Sequence, residues 1–161
     1  MNSDKIRVAA VAGPTASGKS ALAMLLCRKY GGELISCDSM QIYRRMDIGT
    51  AKPSRAERAE IPHHLIDICD PSEDFSVAEF AVLADRAIRE TAERGRFPVL
   101  CGGTGLYLDS VLSGVDFGEL EADPAYRAEL AQAAEEKGAL FLHQMLREKD
   151  PDAAEKIHPN N

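Results

Sequence analysis

The run Gly13-Pro14-Thr15-Ala16-Ser17-Gly18-Lys19-Ser20 constrains this chain more than any other feature. It fits the GxxxxGK[ST] spacing of a phosphate-binding P-loop, a motif that works only between a strand and a helix. Both flanks comply. Ile6–Ala12 is a short apolar run without helical period, read as a buried strand that Gly13 and Pro14 stop. A helix is predicted from about Gly18 to Tyr30, with Ala21, Leu22, Leu25 and Leu26 on one face, and Gly31-Gly32 ends it. The glycines let backbone N–H groups curl around an oxyanion without Cβ clashes. The helix N-terminus adds its positive dipole end. Lys19 supplies a point charge, and the Ser20 hydroxyl suits a Mg²⁺ ion bridging phosphates. The motif therefore specifies a di- or triphosphate, without saying which.

Further along, Glu33–Cys37 reads as a second strand, followed by a polar break at Asp38-Ser39. Residues 44–62 read as a long basic loop, and Leu65–Ile68 as a short strand. Ser76 and Glu79 have capping-box spacing and open a helix to about Arg94. Phe97–Cys101 is a strand, Gly102-Gly103-Thr104 a tight turn, and Leu106–Leu112 a helix. Strands alternating with helices imply a parallel α/β sheet flanked by helices, of the P-loop NTPase-like kind. After Cys101 no strand pattern remains. Asp123-Pro124 and Asp150-Pro151 start helices, Gly138 stops one, and another covers about Leu140–Glu148. A boundary is placed near 118, giving an α/β catalytic core over 1–118 and the start of a helical domain over 119–161.

Composition narrows the class. Hydrophobic residues make up 45%, enough for a core. No signal peptide or membrane span is read, so a cytoplasmic protein with no membrane partner is expected. The net charge of −7 argues, mildly, against a nucleic-acid partner. The charge is uneven, however: Arg44, Arg45, Lys52, Arg55 and Arg58 face only Asp47 and Glu57 within 44–58, whereas 116–136 is strongly acidic. Cys27, Cys37, Cys69 and Cys101 lack CxxC spacing and are expected as small buried thiols. The neighbours His63 and His64 would face opposite ways in a strand and make a poor metal pair.

In an open α/β sheet, ligands gather at the carboxyl ends of the strands. Three strand endings thus point at one crevice: the P-loop, Asp38-Ser39 and Gly102-Gly103-Thr104. Asp38 and Thr104 could each be helix N-caps instead. On these motifs alone, a small-molecule kinase using ATP is open, with Asp38 on the acceptor hydroxyl and the 44–58 arginines as a phosphate lid. A GTPase-like switch wants a guanine-reading NKxD, which the sequence lacks.

Longer runs go beyond spacing. GPTASGKS at 13–20, ELISCDSMQIYRRMDIGTAKP at 33–53, PHHLIDICDP at 62–71, FSVAEF at 75–80, PVLCGGTGLYLDSVLSG at 98–114 and DPDAAEKIHPNN at 150–161 together resemble the tRNA dimethylallyltransferases. The resemblance implies transfer of a dimethylallyl group from dimethylallyl diphosphate to the N6 amine of an adenosine beside the anticodon of tRNA. It implies that the P-loop (Gly13, Pro14, Thr15, Ala16, Ser17, Gly18, Lys19 and Ser20) holds the diphosphate, with Mg²⁺ at Ser20 and no ATP consumed. Asp38 matches the general base, and Asp38, Ser39, Met40 and Gln41 match the run that contacts the flipped adenine. Thr104 and Arg127 match residues that touch substrate at the reaction centre and the tRNA. Family members continue well past the residue matching Asn161. The expectation is therefore a truncated helical tRNA-binding domain, a fragment inactive in transfer, and a monomer at full length.

Overall fold

Two strands of the sheet carry apolar side chains on both of their faces, so helices must cover both sides. In the computed structural model, which describes residues 6–113 and 123–160, that is the arrangement. Strands β1 (Ala9–Ala12), β2 (Gly32–Ser36), β3 (His63–His64) and β4 (Phe97–Gly102) form one parallel sheet in the order β1-β4-β2-β3. Between them run helices α1 (Lys19–Tyr30), α2 (Arg55–Glu60) and α3 (Val77–Glu93), and α4 (Gly105–Leu112) follows β4. The neighbours Leu34 and Ile35, like Val99 and Leu100, point to opposite faces. Leu34 and Val99 pack with Val11, Ala23, Met24 and Cys27 on the α1 side. Ile35 and Leu100 pack with Phe80, Ala84 and Tyr107 on the side of α3 and α4, where the Phe80 and Tyr107 rings stack.

Several expectations are corrected. The paired strand β1 is shorter than 6–12, because pairing with β4 starts at Ala9 opposite Val99. The buried face of α1 is Ala23, Met24 and Cys27, whereas Leu22 and Leu25 are about half exposed. The 44–62 segment is not all loop. Ser54 and Glu57 form a full capping box that opens α2, a helix with no buried residue and hence no apolar period to announce it. Leu65–Ile68 is not a strand. The ladder partners of β2 are His63 and His64, and Leu65 and Asp67 both have positive φ, which ends extended backbone. Asp67 is fixed in that turn by Lys52 and Arg58, at 2.7 and 2.5 Å. The α3 capping box at Ser76 and Glu79 forms as expected.

The chain divides into two compact units, Met1–Asp116 and Phe117–Asn161. The boundary expected near 118 lies outside the described residues. In the second unit, Asp123 caps α5 (Pro124–Lys137), α6 (Ala139–Lys149) follows after Gly138, and Asp150 caps α7 (Pro151–Lys156). Among the described residues this unit contains helices only. No described helix is long and apolar enough to cross a membrane.

Candidate functional site

The register of the sheet decides where the site lies. Ala12 pairs with Gly102, and Ser36 pairs with Cys101, so β1, β4 and β2 end level with one another. The segments that leave them are the P-loop, Gly103-Thr104 and Cys37-Asp38, and all three wall one cavity of about 660 Å³. Gly102 makes this convergence possible. A side chain there would collide with the Cys37 carbonyl, so the ends of β2 and β4 approach as closely as they do only over a glycine. A larger cavity, about 900 Å³, lies between α6 and α7, but no phosphate-binding loop borders it.

The P-loop side is a cradle of backbone donors. Ala16 and Gly18 both have positive φ, which turns successive N–H groups inward ahead of α1. Ser17 N–H closes the loop on the Pro14 carbonyl at 3.3 Å. The Lys19 ammonium donates to the same carbonyl at 3.2 Å and stands within 4 Å of where a Gly103 side chain would begin. Thr15, Ala16, Gly18, Lys19 and Ser20 face the cavity. Gly13 and Ser17 shape the loop from behind, a side chain on the former being within 3 Å of the Ser17 hydroxyl.

Across the cavity, Asp38 sits at the mouth of β2. Its Oδ1 accepts the Met40 N–H at 2.9 Å, and among the described residues its Oδ2 has no hydrogen-bond partner. No helix follows Asp38, so this bond is an Asx turn and the helix-cap alternative falls. Thr104 does precede α4, but its side chain makes no cap bond. Instead its Oγ1 accepts the Ser39 N–H at 3.1 Å and donates to the Ser39 hydroxyl at 3.3 Å. The Thr104 N–H also donates to the Cys37 carbonyl. Thr104 and Ser39 thus lock the ends of β2 and β4 together. Met40 offers an apolar wall, about half exposed. Gln41 is committed within the protein: its amide donates to the Thr50 and Ala51 carbonyls and accepts from the Ser36 hydroxyl. Those bonds hold the 49–51 turn against the cavity, a wall that no spacing rule predicted.

Cys101 forms part of the floor. Burial pushes its thiol up, against the pull of the Lys19 ammonium, so it stays a neutral, apolar surface. Cys37 is pushed up to about 12 by the same cause. All four cysteines are free and buried, as expected. His63 and His64 are held separately, by the Ile61 carbonyl and the Glu33 carboxylate, each at 2.7 Å. Among the described residues no cluster of three His, Cys, Asp or Glu side chains is placed to hold a metal. The Ser20 hydroxyl nevertheless gives the cavity a hard oxygen donor, which fits a Mg²⁺ ion whose other ligands are phosphate oxygens and water. Arg127 lies on α5 of the second unit with its side chain exposed, and its place in the reaction rests on the resemblance.

Comparison with known proteins gives this geometry a lineage. The model of the IPP transferase family matches residues 41–161, and that of the isopentenyl transferases matches residues 6–67. The chain belongs to the IPP transferase family. Among related IPP transferases, the tRNA dimethylallyltransferase of Carboxydothermus hydrogenoformans is 54% identical over 151 residues, covering 94% of this chain and 49% of that one. The tRNA dimethylallyltransferase of Bacillus subtilis is 50% identical over 161 residues, all of this chain and 51% of that one. The crystal structure of the full-length tRNA isopentenylpyrophosphate transferase from Bacillus halodurans matches with TM-score 0.69 at 51% identity, covering 98% of this chain and 52% of that one. A eukaryotic dimethylallyltransferase captured acting on tRNA matches with TM-score 0.78 at 33% identity, covering 98% of this chain and 39% of that one. This IPP transferase chain spans about half the length of the curated relatives it matches.

Proposed function

We propose that the chain carries the reaction centre of a tRNA dimethylallyltransferase, acting on an adenosine N6 amine beside the anticodon with dimethylallyl diphosphate as donor. The observation that carries this is one cavity with a phosphate cradle on one wall and a carboxylate, Asp38, on the other. A kinase cavity needs the same cradle, but the family and its relatives are prenyl-transferring proteins by name.

The chemistry follows from charge. An adenine N6 lone pair is delocalised into the ring and attacks poorly. The allylic C1 becomes electrophilic only as the C–O bond to diphosphate breaks. Negative charge then develops on the leaving diphosphate, where the P-loop N–H groups and Lys19 point. Mg²⁺, held through Ser20 and the phosphates, would add charge neutralisation there. As the C–N bond forms, the amine proton becomes acidic, and the Oδ2 of Asp38, without a hydrogen-bond partner among the described residues, accepts it late. Thr104 and Ser39 position that carboxylate by holding the strand ends together. A base must leave its stack to enter such a cavity, which favours a loop adenosine that is cheap to flip. A cytoplasmic, monomeric protein fits this role.

The deciding experiment is a prenyl-transfer assay with labelled dimethylallyl diphosphate and an anticodon stem-loop RNA, run on the protein expressed from its whole reading frame. Label should enter the RNA without ATP, and Lys19→Ala should raise the KM for the diphosphate and lower kcat. A requirement for ATP hydrolysis would overturn the reading in favour of a kinase.

A further inference from the structure

A second cavity, about 620 Å³, opens beside the 43–67 segment and is lined by Arg44, Arg45, Arg55 and Arg58 with Asp47 and Asp67. Four guanidinium groups meet two carboxylates there, in a chain whose net charge is −7. The acids are largely spent elsewhere. Both Asp47 and Asp67 bind the Lys52 ammonium, at 3.0 and 2.7 Å, and the Lys52 side chain is only 1% exposed. Asp67 also takes Arg58.

The arginines are held differently. Arg44 donates from Nε to the Asp67 carbonyl and from Nη2 to the Ile68 carbonyl, both at 3.0 Å. Carbonyl partners orient a guanidinium without cancelling its charge, and its Nη1 has no hydrogen-bond partner among the described residues. Arg45 reaches Asp70 at 2.5 Å with its side chain 76% exposed, a pair that contributes little. Arg55 is exposed and makes no ion pair among the described residues. The result is a cationic surface of arginines, in which Arg44 and Arg58 are held and Arg45 and Arg55 stand exposed, with planar forks that match phosphate oxygens.

Position gives this surface its purpose. The segment that carries Arg44 and Arg45 leads directly into Asp47 and the 49–51 turn, and that turn is a wall of the reaction cavity. The two cavities therefore flank one turn. A nucleotide whose base enters the first is separated from the second by that turn.

We propose that the arginine cavity binds backbone phosphates of the RNA substrate next to the flipped adenosine. The proposal rests on the transfer reading above. Arg45 and Arg55 make the contact, while Arg44 and Arg58 are also needed to hold the segment.

The test is the variant Arg45→Gln/Arg55→Gln in the protein expressed from its whole reading frame, with an anticodon stem-loop RNA as probe. Filter binding over a salt series should show RNA affinity falling several-fold or more. The slope of log K against log salt should drop by about 1.4–1.8, as expected for two lost phosphate contacts. The KM for dimethylallyl diphosphate and kcat at saturating RNA should stay as in the wild type, and so should the melting temperature. If the double variant folds poorly, Arg55→Gln alone carries the test, with a slope change of about half that size. Unchanged RNA affinity and slope would overturn the proposal. So would a raised KM for dimethylallyl diphosphate or competition by inorganic diphosphate at this cavity, which would assign the arginines to the small substrate. A wild type that transfers no prenyl group sinks the transfer reading. A wild type that transfers normally, with the variant's RNA affinity unchanged, sinks only this one.

Discussion

In the transfer reading Asp38 is the residue on which the chemistry turns, and its geometry separates two roles. Oδ1 is tied to the Met40 N–H, while Oδ2 is left for a proton. Asp38→Asn keeps an oxygen for the Met40 bond but cannot accept the proton. If Asp38 is the base, both Asp38→Asn and Asp38→Ala should lose about 10²–10⁴ in kcat, with the KM for dimethylallyl diphosphate nearly unchanged. If Asp38→Asn turns over normally in the transfer assay while Asp38→Ala does not, Asp38 serves only its turn. The placing of Lys19 and Asp38 on one cavity was legible: a lysine after a glycine loop and an aspartate at a strand end declare themselves. The contributions of Thr104 and Gln41 were not. Each works through a bond to a residue distant in sequence or to the backbone, Thr104 to Ser39 and Gln41 to Thr50 and Ala51. The first pairing depends on the register of β2 against β4 and the second on how the 41–51 segment folds back on itself, neither of which a local motif encodes.

At the scale of elements, the long helices were visible because they repeat an apolar face or open on a capping box. The polar six-residue α2 was not, although its Ser54 and Glu57 carried the same box that marked α3. The expected face of α1 followed its leucines, while packing against the sheet takes Ala23 and Cys27, with Met24, inward. One polar cluster ties three elements together. Glu33 of β2, 7% exposed, accepts from His64 of β3 at 2.7 Å and from Arg94 at the end of α3 at 2.6 Å, and Thr91 adds a weaker bond. Burial pushes the Glu33 carboxyl up, but the Arg94 guanidinium and the His64 ring together outweigh it and hold it below its ordinary 4.5. Its contribution is therefore complete above about 4.5 and is lost as pH falls through the lowered value of the folded state. Arg94→Ala should lower the melting temperature modestly near neutral pH, because the guanidinium is half exposed and solvent screens the pair. Melting curves from pH 7 down to pH 3 should show the gap between variant and wild type closing on the acid side. A gap that stays constant would show that Arg94 acts by packing alone.

The chain is two units, of which the first holds the cavity lined by the P-loop and Asp38, and the second, among the described residues, is helical. The alternation of strands and helices made the first legible, and the Asp-Pro helix starts made the helices of the second legible. The strand order β1-β4-β2-β3 was not, since it records which strands meet across the core. If the cavity binds diphosphate in the folded state only, ligand should raise stability by mass action, about 2.7 kcal/mol at a hundred times its dissociation constant. Scanning calorimetry of the 161-residue chain with Mg²⁺ and inorganic diphosphate should show that rise, and Lys19→Ala should abolish most of it. No shift in either protein would count against a phosphate cradle. The strand order also carries a message about time. Among the described residues β1 pairs with β4 alone, whereas β4 is paired on both sides, so the proposed phosphate loop hangs from a less protected strand. In hydrogen–deuterium exchange, the amides of Ala9–Ala12 and the following loop should take up deuterium well before those of Val99–Cys101, and diphosphate should slow the first group far more than the second. The cradle is, in that sense, built where the sheet breathes, and its occupant doubles as the clasp.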